Sequence, residues 1–383
     1  MKKVIFGTAL VSMALLSACS SDNELANVET TANNAIGFHV VGNKAETRAT
    51  PITPDNITTT DFRVFAFTRN SEDGSDVNAF MGEKEDVNRQ TGVKIDFINN
   101  DWNYVYDSDL HYWPTSTALN FYAVSPADVA ANMFGHHTWS IEKNDAKTIS
   151  YSCCDEYNNS DGAVNYDLMY AIKENQTQSS NNGKVSFQFK HILSQVVFKA
   201  KTQLEDMQVD IKYIKIHNIK HGGTFTFPTT SSKDGSWSLS PILANPSQPG
   251  NAFTVVKDKN ITVKNTVIDI SSNTPMLTIP QTLTAWDVTT TKTKMAADAA
   301  DPIQSYLEIG CRIQQKGEYL FGKDGYETIW VPFGTTWEIG KRHIYTLIFG
   351  GGYDDNGNPI LKPINFEATV EGWKDVTSDD IDM

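Results

Sequence analysis

Few side chains in this sequence sit where they could do chemistry together. His136 and His137 are adjacent within Gly135-His136-His137-Thr138-Trp139. On a strand, neighbouring side chains leave opposite faces, so this pair cannot chelate one ion jointly. Asp354-Asp355-Asn356-Gly357-Asn358 has the composition of a calcium loop. It lacks the Asp-x-Asp-x-Asp-Gly spacing and the distal glutamate, so an Asn-Gly hairpin turn is the better reading. His191 follows a short alternating segment and reads as a strand-end residue making local hydrogen bonds. No Gly-x-Ser-x-Gly elbow, His-Glu-x-x-His helix, phosphate loop or Cys-x-x-Cys pair is present. The sequence therefore predicts no enzyme, no metal site and no cofactor.

One cysteine does have neighbours that specify a reaction. Met1-Lys2-Lys3 is followed by an apolar run from Val4 to Leu16. That run is too short to span a hydrocarbon layer of about 30 Å, so it reads as a removable signal peptide over residues 1–18. It ends in Leu16-Ser17-Ala18-Cys19, which resembles the lipobox of bacterial lipoproteins. In such a motif the thiol accepts a diacylglycerol, and the small residues let a peptidase approach the backbone. Ser20-Ser21-Asp22-Asn23-Glu24 is similar to the signal that sends Bacteroidetes lipoproteins to the outer face of the outer membrane. The expectation is a lipid on Cys19 and a surface-exposed protein anchored in the cell outer membrane.

A second reactive position is a peptide bond. Arg48 stands alone in Ala45-Glu46-Thr47-Arg48-Ala49-Thr50, ahead of Pro51 and Pro54. The prolines keep the segment extended and outside a regular sheet, which suits a protease cutting between Arg48 and Ala49. Before it lies Ile36-Gly37-Phe38-His39-Val40-Val41, where Ile36, Phe38 and Val40 share one parity of a strand.

The elements around these positions read as β-structure. The chain has 383 residues, 40% hydrophobic and 11% aromatic, with a net charge of −14 that argues against nucleic acid as a partner. Phe62 to Phe67 and Leu119 to Val124 are apolar on both parities, as in strands covered on two faces. Val185, Phe187 and Phe189 alternate cleanly, as do Val196, Phe198 and Ala200. Leu307, Ile309, Cys311 and Ile313 share a face, and further strands are expected at 328–333, 342–349 and 364–370. Short helices are expected at 202–208 and 293–300. A polar, turn-rich stretch reads either as a domain boundary within about 175–195 or as a long hairpin loop. Trp102, Tyr104, Tyr106, Tyr112 and Trp113 read either as core and sheet edge or as a sugar-stacking platform. Among the cysteines past Cys19, the one bridge open is from Cys311 to Cys153 or Cys154.

Several stretches taken together carry a family likeness. The lipobox, the apolar strand, "ETRAT" and "FRVFAF" stand in order. They are followed by Tyr112-Trp113-Pro114, "LNFYA", "FKHILSQVVFKAK", "LTIPQTL" and "INFEATVEGW". This layout resembles the fimbrillin-like proteins, the type V pilins of Bacteroidetes. The resemblance implies an all-β chain of two transthyretin-like β-sandwich domains in tandem. The expected division is a signal peptide at 1–18, a lipidated leader at 19–48, and domains at 49–188 and 189–383. It implies that an arginine-specific protease removes the leader with its plug strand Ile36, Phe38 and Val40. A strand from another pilin subunit then fills the groove. The expected role is a structural or adhesive pilus subunit, with the fimbrium as its final location. Its expected partners are other pilin subunits, the outer membrane before processing, and a host or bacterial surface ligand. Only ten residues follow Trp373. Either strand 364–370 is itself the donor, or the chain is a tip or accessory subunit. The alternative function is a non-polymerising cell-surface glycan-binding lipoprotein that uses the 102–113 aromatics.

Overall fold

The computed structural model describes residues 34–40 and 57–372, the latter with gaps at 85, 87–89, 129–136, 144, 154–165, 181, 230–233, 242–251, 258–259, 272–275, 351–352 and 359–364. The first strands are β1 (Gly37–Val40), β2 (Phe62–Arg69), β3 (Asp76–Met81), β4 (Val93–Ile98), β5 (Asp101–Tyr104), β6 (Leu119–Ser125), β7 (His137–Ser140), β8 (Thr148–Ser152), β9 (Met169–Gln176), β10 (Lys184–Phe187) and β11 (Lys190–His191). There follow β12 (Ser194–Thr202), β13 (Met207–His217), β14 (Gly222–Thr226), β15 (Ser236–Leu239), β16 (Ala252–Val256), β17 (Ile261–Val263), β18 (Ile268–Asp269), β19 (Met276–Thr278) and β20 (Thr282–Ala285). The last are β21 (Gln304–Gln315), β22 (Glu318–Phe321), β23 (Glu327–Pro332), β24 (Thr335–Thr336), β25 (Lys341–Phe349) and β26 (Asn365–Gly372). The fold is all-β.

A seven-stranded sheet, ordered β11-β9-β6-β2-β4-β5 with β3 on β2, forms a middle layer. Its central strands are apolar on both parities because both faces are covered. Phe62, Val64, Ala66, Phe121 and Ala123 enter one core. The alternate residues Phe65, Phe67, Tyr122 and Val124 enter another. The first core is closed by β1 and β10, and the second by a four-stranded sheet ordered β15-β14-β8-β7. That four-stranded sheet takes two strands from each side of residue 189, joined where Tyr151 of β8 faces Gly223 of β14.

The remaining strands make a sandwich. One sheet is ordered β18-β12-β25-β26, and the facing sheet β16-β13-β21-β20-β24. Val196, Phe198, Tyr345 and Leu347 pack with Ile211, Ile214, Leu307, Ile309 and Ile313 between them. A bulge in β13 between Ile211 and Tyr213 lays the Tyr213 ring over Gly310. A Cβ at Gly310 would lie 2.3 Å from that ring, so only glycine fits there.

Two local expectations change. The helix expected at 202–208 is absent: the chain turns at Glu205-Asp206 and starts β13 at Met207. Met207, Val209 and Ile211 are buried with period two, and the pull of that core outweighs helix propensity. The 293–300 segment keeps only α1 (Lys294–Asp298), capped by Thr293, whose hydroxyl accepts the Ala296 N–H at 3.1 Å. Cys311 is a free, buried thiol, so it bridges neither candidate partner.

His221 lies where the chain enters β14, its ring 4.6 Å from that of Phe253. Burial pulls its pKa down to about 4. The folded state therefore holds it neutral, while the unfolded chain takes up a proton near pH 6.5. Its contribution to stability is full above that pH and is lost as the pH falls towards 4. The urea midpoint should drop across that window. The drop should be smaller in His221→Phe, compared by denaturation at pH 7 and pH 4.5.

Candidate functional site

The groove that holds β1 is the most distinctive feature of the first core. β1 pairs in parallel with β10, with Phe38 opposite Val185 and Val40 opposite Phe187. Alternation sends Ile36, Phe38 and Val40 inward, with 1%, 1% and 3% of their surface exposed. The Phe38 ring stacks on Phe187 at 6.1 Å and meets Phe62 edge-on at 6.4 Å and Tyr104 at 5.5 Å. Val185, Phe187 and Phe189 complete the wall.

Opposite β10 the strand is held by clamps, not by a continuous ladder. The Ile36 N–H donates to the His111 carbonyl at 2.9 Å, and the Tyr104 hydroxyl donates to the Ile36 carbonyl at 3.0 Å. The Trp113 N–H donates to the Asn34 carbonyl at 2.8 Å, and the Asn34 amide returns a bond to the Trp113 carbonyl. The Trp113 indole donates to the Gly183 carbonyl, whose oxygen also accepts the Gly37 N–H. Burial pushes the Tyr104 phenol above its ordinary range, so it serves as a neutral donor. His39 points outward beside the Lys184–Asp101 ion pair, and burial and the Lys184 charge lower its pKa.

This arrangement decides the role of the 102–113 aromatics. Trp102 and Trp113 are buried in the β1 core and Tyr104 is committed to the Ile36 carbonyl, so no sugar-stacking platform forms from them. Tyr112 alone is largely exposed, at 52%. The clamp was hidden in the sequence because Asn34 and Trp113 lie far apart in the chain. Its only signal was the density of aromatics around Tyr112-Trp113-Pro114.

The other sites named from the sequence do not converge here. Cys19, Arg48 and Ala49 lie outside the described residues, as does His136. His137 is buried and its Nε2 lies 3.2 Å from the Pro126 carbonyl. His191 is also buried, and its Nδ1 meets Asp167 Oδ1 at 2.9 Å. The Asp354 carboxylate accepts the N–H groups of Asn356 and Asn358 and the Asn358 amide, so its oxygens close a turn. Among the described residues no group of three histidine, cysteine or acidic side chains is placed to hold a metal ion.

The fimbrillin-like family model matches residues 47–373. The chain belongs to the fimbrillin-like family. The match starts after β1, so that strand stands outside the shared region. A curated relative of this fimbrillin-like chain, fimbrium subunit Fim1C of Phocaeicola vulgatus, is 24% identical over 197 residues. The aligned part is 49% of this chain and 48% of the relative, so the chain spans about half the length of the curated relative it matches. A solved fimbrial protein from Bacteroides vulgatus superposes with a TM-score of 0.59 at 18% identity, covering 89% of this chain and all of that one. That likeness establishes the shared fold of this fimbrillin-like chain.

Proposed function

We propose that this chain is the precursor of a fimbrial subunit, anchored in the outer membrane by a lipid on Cys19. It assembles by strand exchange after cleavage between Arg48 and Ala49. One observation carries this reading: β1 and the Ile36 that precedes it supply three buried core side chains, yet among the described residues the only regular backbone pairing of β1 is with β10. Ile36, Phe38 and Val40 together contribute roughly 5–9 kcal/mol of burial. That is comparable to the whole stability of an ordinary domain. A chain cut at Arg48 that then loses β1 would expose an apolar trough and an unpaired edge on β10, and a strand from another subunit would satisfy both.

The donor fits the last strand. Ile364-x-Phe366-x-Ala368 follows the spacing of Ile36-x-Phe38-x-Val40. Among the described residues β26 pairs with β25 alone, and its residues Glu367, Ala368, Thr369 and Val370 are all exposed. Leaving its own sandwich would break the ladder to β25, and a new ladder on β10 would replace it. A chain with both a groove and a matching strand suits a repeating stalk position better than a tip.

The test is the terminus of the mature protein. Mass spectrometry of surface filaments should find subunits beginning at Ala49. In Arg48→Ala cells, filaments should be almost wholly lost and lipidated precursor should accumulate. Filaments built from subunits that still begin at Cys19 would overturn the reading.

A further inference from the structure

Away from the β1 groove, a cavity of about 640 Å³ opens where four sheets meet. Its walls come from β11, from the start of β15, and from residues 280–282 and 337–341 of the sandwich. Several bonds between these walls fix its shape. The Trp237 indole donates to the Ile192 carbonyl at 2.7 Å, and the Ser194 hydroxyl donates to the Glu338 carbonyl at 2.7 Å. The Gly340 N–H donates to the Leu193 carbonyl at 2.9 Å. The Gln281 side chain is spent on the Lys220 backbone, accepting its N–H and donating to its carbonyl. The linker segment 190–194 is thus tied on both sides, and the cavity is formed before anything enters it.

We propose that this cavity binds a neutral saccharide of one or two rings. Its volume lies in the range of small-molecule sites, roughly 300–1,000 Å³. Four charged side chains line it: Lys190, Asp234, Glu338 and Lys341. Among the described residues no ion pair joins any two of them. Two cations and two anions leave the lining with no net formal charge, which disfavours an anionic or cationic ligand. Ammonium groups donate and carboxylates accept, so the set can satisfy both halves of a sugar hydroxyl with charge-assisted bonds. The half-buried Trp237 lines the same cavity, and its N–H is already committed, so its contribution is an apolar ring surface. An apolar wall beside mixed donors and acceptors is what a sugar ring requires, with its C–H face and its hydroxyl edge. This site is separate from the 102–113 aromatics and does not depend on strand exchange.

The experiment screens the full chain against an array of neutral and acidic oligosaccharides and of short peptides, then measures the hits by titration calorimetry. Neutral saccharides should bind, and Glu338→Gln and Asp234→Asn should each weaken them by about tenfold, the scale of one hydrogen bond losing its charge assistance. Both side chains are exposed, so these variants keep the fold even where Trp237→Ala does not. Arg48→Ala should bind as the parent does, which separates this site from the processing pathway. Binding of acidic glycans or peptides only, no binding at all, or affinity unchanged in both carboxylate variants would overturn the assignment.

Discussion

Phe38→Ala is expected to destabilise the leader-bearing chain by about 3–5 kcal/mol, the usual cost of emptying a buried aromatic position. Phe38 is 1% exposed and touches the rings of Phe62, Tyr104 and Phe187, all fixed by other strands. Those neighbours cannot collapse into the space because Phe62 and Phe187 also pack on Phe189. Urea denaturation of the uncleaved protein measures the loss. The same substitution should leave unaffected a protein that has been cut after Arg48 and has lost its leader strand, because the altered residue is then gone. A loss under about 1 kcal/mol in the uncleaved protein would mean that the core does not rest on β1.

The size of that effect bears on assembly. In the proposed assembly, a plug worth much of a domain's stability would hold the precursor shut until its covalent link is cut. Cleavage alone would not eject the strand. It would convert a tethered partner at high effective concentration into one that must compete with donors from other subunits. The clamps at Asn34, Ile36 and Trp113 are where such a competitor would first have to displace backbone bonds.

Much of this was legible in the sequence. Apolar residues on both parities gave Phe62–Phe67 and Leu119–Val124 as two-sided strands, and the structure places them in the middle of three layers. Ile36, Phe38 and Val40 declared their shared face by parity alone. The parallel pairing of β1 with β10 was not legible, because nothing local to Gly37–Val40 names a partner more than a hundred residues away. Nor was the four-stranded sheet, since β8 and β14 pair across five intervening strands and nothing local to either names the other. The helix expected at 202–208 failed for a related reason: local propensity there was weaker than the pull of the sandwich core on Met207 and Val209.

Arg63 shows the same limit and carries the second large effect. In sequence it is one charge inside an apolar strand, with nothing to say that it is buried. In the fold it is fully buried, and each bond it makes reaches a distant residue. Its Nε donates to the Ala127 carbonyl at 2.8 Å and its Nη1 to the Gly92 carbonyl at 2.9 Å. Its Nη2 meets the Asp86 carboxylate and the Gln90 side-chain oxygen, both at 2.8 Å. This one guanidinium ties the segment between Gly82 and Gly92 to the middle sheet. Asp86 is itself buried, with 5% of its side chain exposed. Arg63→Met should therefore cost about 3–5 kcal/mol, most of it from stranding a buried carboxylate and two carbonyls. Arg63→Met with Asp86→Leu should recover part of the loss, since removing both charges removes the stranded one. Denaturation of the two variants measures the difference, and hydrogen exchange should show protection falling first at residues 90–92. A double variant no more stable than the single one would mean that the carbonyls of Gly92 and Ala127, not the Asp86 charge, are what Arg63 is there to satisfy.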